Sequence, residues 1–166
     1  MEQAFLPAVE AVFRVLLGLR FLSSGVSNIR RWPNATRTAG LVFSRGTTFF
    51  GFVATTLMVT GGSGLAVGFQ TPIAALMLII FLIPTFQVHR RHLQDMPDIV
   101  EVIKANLTED EAKTRFRVIE RQATHSHEIG WQTNVVLLAA NLFFVVRGCT
   151  GFGLDSLIED WVIRLL

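Results

Sequence analysis

The chain has 166 residues and a formal net charge of only +2; 51% of its residues are hydrophobic and 17% are charged, with a mean hydropathy of +0.46. That balance is too apolar for an ordinary soluble domain of this length and points to an integral membrane protein whose first partner is the lipid bilayer. Basic residues scattered through loops argue against a nucleic-acid role, and the lone Cys149 excludes an intramolecular disulfide or a C-x-x-C redox pair.

The first long apolar run is expected to span a membrane over about residues 5–29. The preceding MEQAFLPAVEAVF has no basic n-region and no small-residue cleavage site, so this helix is expected to be retained. Two arginines, Arg14 and Arg20, interrupt it. Glu10 and Arg14 are four apart, in the order that suits an ion pair on a helix, and both are expected to reach the interface. Arg20 lies near mid-depth, where a charge is costly and usually faces a cavity or a partner. It is therefore expected in a polar bundle interior with Ser23, Ser24, Asn134 and Asn141, a candidate ligand-binding site. No catalytic residue can be named.

From Gly46 to Val88 there is no Asp, Glu, Lys, Arg or His. That is too long for one span of about 20 residues and suits two, joined by a tight turn. Spans are expected at about 47–69 and 72–88, with Thr71 as N-cap and Pro72 at the first helical position. Gly61, Gly64 and Gly68 share a face of the second span and are expected to let another helix approach closely.

Residues 89–130 form the one long polar segment. Pro97 opens a short helical pattern and Thr108 with Glu111 resembles a capping box, so a helical hairpin lying on the membrane surface is expected there. His89 and His92 at its start, with His125 and His127 near its end, are candidate metal or haem ligands, since imidazole suits Zn, Cu or Fe. A fourth span at about 131–148 carries Asn134 and Asn141 on one face, which is expected to turn inward. An amphipathic tail at 155–166 completes the pattern: Ser156 and Glu159 suggest a capping box, and Leu157, Ile158, Trp161, Val162 and Leu165 an interfacial face.

The fold class expected is therefore an all-α membrane protein, a four-helix transmembrane bundle with a cytoplasmic helical hairpin between helices 3 and 4, forming a single domain over 1–166. Basic residues concentrate in the loops after the first and third spans. The positive-inside rule puts both termini outside.

The order FRVLLGLRFLSSGVSNI, then GGSGLAVGFQTPIAALMLIIFLIPTFQVH, then TNVVLLAANLFFVVRGCTGFGLDSL resembles the DoxX family of four-helix bacterial membrane proteins. The matching positions are Gly18, Phe21 or Leu22, Gly25, Gly61, Gly62, Gly68, Thr71, His89, Asn134, Leu154 and Asp155. The chain departs from the family at Met58, where a Glu is common, and at Gly130 and Thr133, where the family often has His and Lys. The resemblance implies a bacterial cytoplasmic (inner) membrane location and a small accessory subunit, with other membrane-protein subunits as partners, in a redox-linked complex that uses a quinone. If the chain is catalytic at all, it is a quinone-linked oxidoreductase component. The alternative is a purely structural or assembly subunit with no ligand of its own. No nucleophile triad, phosphate-binding glycine loop or nucleotide fingerprint supports an autonomous hydrolase or kinase.

Overall fold

The computed structural model describes residues 2–158; the expected tail from Glu159 onward, with Trp161, Val162 and Leu165, lies outside them. The described chain is helical, with no strand among those residues. Helix α1 covers Glu2–Arg30, α2 Trp32–Gly40, α3 Thr47–Val67, α4 Thr71–Asn106 and α5 Asp110–Arg147. Helix α3 packs between α1 and α4, α5 packs along α4, and the short α2 lies against α3.

Helices α3, α4 and α5 are long and apolar enough to cross a membrane. Helix α1 has 29 residues and the length to do the same, but Glu10, Arg14 and Arg20 dilute its apolar run. Its buried positions nevertheless make one stripe: Glu10, Arg14, Leu17, Gly18, Phe21 and Gly25 fall at spacings of three or four, the signature of a helix face turned to a core. Leu17 and Phe21 meet Leu65, Ala74, Ala75, Leu78, Leu82 and Phe144 in the central apolar cluster. Phe21 stands edge-on to Phe81 at 6.2 Å between ring centroids.

Glycines on opposite faces of α3 let its neighbours close in. A Cβ on Gly62 would lie 2.7 Å from Leu22 N on α1, and one on Gly61 would lie 3.0 Å from Ala74 O on α4. Gly64 also faces Ala74. Gly68 is not part of that face: it is the left-handed C-cap of α3, at φ 70°, where a side chain would be strained.

Three local signals resolve differently from the sequence pattern. The N-cap of α4 is Gln70, at φ 47°, rather than Thr71. The Thr108–Glu111 capping box does not form: α5 starts after Glu109 with no side-chain cap. Glu111 instead bonds Arg115 at 2.6 Å, one turn along, while Asp110 and Glu111 still place negative charge against the helix N-terminus. The third is Pro97, which opens no new helix, since α4 runs unbroken past Pro84 and Pro97 to Asn106. Pro97 is exposed, so the backbone bond it removes can be replaced by solvent at low cost.

With 36 residues, α4 is about 54 Å long, well beyond the ~30 Å of a hydrocarbon core. Its polar half and that of α5 therefore continue beyond the apolar halves as one antiparallel pair, instead of folding into separate short helices. Lys104 and Glu120 join the pair at 2.9 Å, near the turn.

Candidate functional site

Polar groups gather at two ends of the bundle. At the first, Arg14 is 2% exposed. Its guanidinium donates to Leu65 O at 2.7 Å, to Ala66 O at 3.2 Å and to Phe152 O. Leu65 and Ala66 lie in the last turn of α3, where backbone carbonyls lack helical partners and the helix dipole is negative. A cation there is compensated without a carboxylate. Glu10 is accordingly not paired with Arg14: it accepts from Arg147 Nε at 3.4 Å, from Thr150 N at 3.2 Å and from Thr150 Oγ1 at 2.6 Å.

The same end is closed by Asp155. Its two carboxylate oxygens accept from Gln70 N at 2.7 Å and Thr71 N at 2.9 Å, capping α4 from 84 residues away. Asp155 N in turn donates to Gly68 O at 2.8 Å. Ser156 Oγ bonds back to the Gly151 and Gly153 carbonyls; the expected capping-box partner Glu159 lies outside the described residues. Arg14, Glu10 and Asp155 thus tie the turn after α3, the start of α4 and the segment after α5 to α1. This cluster holds the fold together.

Arg20 lies on the opposite side of α1 from this interior. It is exposed and its only side-chain partner among the described residues is Ser24 Oγ. Ser23 is exposed as well, and both serine hydroxyls bond the Arg20 carbonyl. The reason is angular: Arg20 is six residues beyond Arg14, about 240° around a helix of 3.6 residues per turn, so depth alone misidentifies which arginine is enclosed. Asn134 and Asn141 are buried, at 8% and 0% exposure, but neither meets Arg20. Asn134 donates to Thr85 Oγ1 at 2.9 Å and Asn141 to Leu137 O in its own helix at 2.8 Å. Asn141 Oδ1, Thr55 Oγ1 and Thr71 Oγ1 have no partner among the described residues.

The second polar end begins where α4 leaves the stretch free of ionisable residues, at His89. His89 Nδ1 stands 3.3 Å from His127 Nδ1, and the His92 ring stacks on His127 at 4.4 Å between centroids. His125 does not join them; it points to Glu128, at 3.7 Å. Arg90 and Arg91 are exposed while His89 and His92 are half-buried, so the helix turns the arginines away from the imidazoles. Beyond the apolar span, burial and then the neighbouring His92 hold His89 below the ordinary histidine pKa. Burial, then His92 and His89, act in the same direction on His127. Below the segment, Phe86 meets Trp131 edge-on at 5.9 Å and keeps α4 and α5 in register.

Between α2, α3 and α4 lies a cleft of about 590 Å³, largely apolar, with Phe43, Phe50 and Phe81 in its wall and Asn28, Thr85 and Gln87 as polar groups. Phe43 and Phe50 stack at 3.7 Å. Its size is within the range of small-molecule sites. Met58 is buried and accepts a long contact from Asn28 Nδ2 at 3.6 Å, so no acidic group stands at that position.

No curated protein and no solved structure matches the chain. The model of one family, DoxX, matches residues 10–90, from the Glu10 turn of α1 through α2 and α3 to His89 of α4. The DoxX family model thus matches residues 10–90, the same family that the sequence motifs resemble.

Proposed function

We propose that the chain is a small multi-pass accessory subunit of a redox-linked membrane complex, holding another membrane protein through the outward face of α1. The DoxX family is associated with membrane oxidoreductase-related roles. In this reading α1 is a fourth span. The charges of Glu10 and Arg14 are compensated inside the chain by Arg147, Thr150 and the end of α3. Arg20 carries the proposal, because it is the charge of α1 left exposed at mid-span with one hydroxyl for a partner. An uncompensated guanidinium at that depth is expensive. A helix bearing a carboxylate, packed against Leu16, Leu19 and Ser23, would remove that cost.

The cleft beside α2 favours the redox-linked form of this reading over a purely structural subunit. A quinone ring suits its aromatic wall, with the Asn28 and Gln87 amides as donors for its carbonyls. The chain's own redox equipment is slight, since Cys149 cannot cycle as a dithiol. In this reading a partner carries the cofactor that exchanges electrons with the quinone.

One purification tests both points. The wild type and Arg20→Leu are extracted from native membranes in mild detergent, and co-purifying proteins and quinone are identified. A discrete partner and quinone are expected with the wild type. Arg20→Leu should lose the partner by about tenfold or more, since an intramembrane charge pair is worth more than ~1.4 kcal/mol. Equal recovery with Arg20→Leu, or unchanged turnover by the chain purified alone, would refute the subunit reading.

The basic residues Arg30, Arg31, Arg37 and Arg45, with those of 89–130, support an orientation with these segments in the cytoplasm and both termini outside an inner membrane. With Cys149 replaced, a cysteine at Lys113 should resist an impermeant thiol reagent in intact cells and one at Gln3 should react. The reverse labelling would invert the orientation.

A further inference from the structure

We propose that His89, His127 and His92 form a binding site for a borderline divalent transition ion, of which Zn²⁺ is the type. The argument begins with the 3.3 Å between His89 Nδ1 and His127 Nδ1. Two imidazole nitrogens bound to one tetrahedral Zn²⁺ at 2.0–2.1 Å stand about 3.3–3.4 Å apart. The observed separation is long for a direct hydrogen bond and fits that bite.

The third ligand is His92. It follows His89 by three residues, on the same face of α4, and its ring already lies against His127. As the side chains stand, no three donors are in position for a metal among the described residues. A side-chain rotation of His92 out of its stack on His127 supplies the third nitrogen. Water then fills the fourth position, giving the three-histidine set known for zinc.

Two further features fit the donor set. The exposed Arg90 and Arg91 keep their charge away from it. Gly130 makes room for the His89 ring: a Cβ there would overlap His89 Cε1 and lie 2.9 Å from Nδ1. Glycine is otherwise a poor residue inside a helix. Any larger residue at position 130 would push His89 away from His127.

The test uses the full chain, untagged with histidines and stripped with a chelator, in mild detergent. Zn²⁺ binding is measured by calorimetry and Co²⁺ binding by its visible ligand-field bands. One ion per chain is expected, with the intense bands of tetrahedral Co²⁺. His89→Ala and His127→Ala should each weaken Zn²⁺ by more than about 100-fold, beyond the 10–100-fold typical of residues outside the ligand shell. His125→Ala should leave it unchanged. Gly130→Ala removes no donor and raises helix propensity, so it should keep the fold yet weaken binding about tenfold. A wild type that binds no Zn²⁺, binding that survives both His89→Ala and His127→Ala, or equal loss in His125→Ala would overturn the site.

Discussion

Replacing Arg14 by methionine is expected to destabilise the isolated bundle by about 3 kcal/mol, while Arg20→Met changes it by no more than about 0.5 kcal/mol. Arg14 is enclosed and donates to Leu65 O, Ala66 O and Phe152 O. Two of these carbonyls belong to the end of α3, so the substitution takes the charged donor from both, leaving Leu65 O only the bond from Gly68 N at 3.3 Å, and removes a cation from the negative end of a helix dipole. Methionine keeps most of the packing volume and isolates the polar loss. Arg14→Lys retains the charge but not the forked geometry, and should recover about half of the stability. The measurement is unfolding in mild detergent followed by circular dichroism. If Arg20→Met proved the more damaging of the two in the isolated chain, the assignment of Arg14 as the internal tie would fail.

The two arginines also show how far sequence reasoning carries in this protein. A charge-free stretch of more than forty residues, broken by Gly68 and Pro72, makes the apolar helical character of α3 and α4 plain, because those signals are local. Depth along α1 was legible too. What depth does not reveal is the face, which follows from the stripe Glu10, Arg14, Leu17, Gly18, Phe21 and Gly25. Counting spacings from Gly18 and Gly25, the small residues that a neighbouring helix needs, would have placed Arg14 inside and Arg20 outside.

Other features had no local signal. Helix α2, with Pro33 in its first turn, occupies a stretch whose basic residues read as a loop, and it is ordered by packing on α3. The cap on α4 comes from Asp155, and the partners of Glu10 lie at Arg147 and Thr150. A carboxylate 84 or 137 residues from its partner leaves no periodic trace in one sequence. The histidines were partly legible: the i, i+3 pair on α4 is visible, but whether His125 or His127 meets it depends on the rotation of α5, and His127 is the one on the inner side.

The largest effect is expected at Gly18, where α1 and α3 come closest. A Cβ there would lie 2.5 Å from Ala66 N and 2.6 Å from Gly62 O, and both obstacles are backbone, which cannot rotate aside. The helices must separate. Gly18→Ala gains up to about 1 kcal/mol of helix propensity, but overpacking against a rigid neighbour costs typically 1–3 kcal/mol and more when backbone must move. Separation also withdraws Arg14 from the end of α3, four residues away on the same stripe, so the two losses are coupled. Gly18→Val should therefore prevent α1 from docking and remove most of the folded protein, with Gly18→Ala destabilised by about 2–3 kcal/mol. Gly64→Ala is the comparison: its Cβ would meet Ala74 Cβ at 3.1 Å and Phe69 O at 3.2 Å, which a shift of a few tenths of an ångström relieves. Cysteine pairs across α1 and α3 near Gly18 and Gly62 report docking directly. They should cross-link efficiently in the wild type and in Gly64→Ala and fail in Gly18→Val. Efficient cross-linking in Gly18→Val, with unchanged thermal stability, would show that α1 and α3 do not depend on this contact.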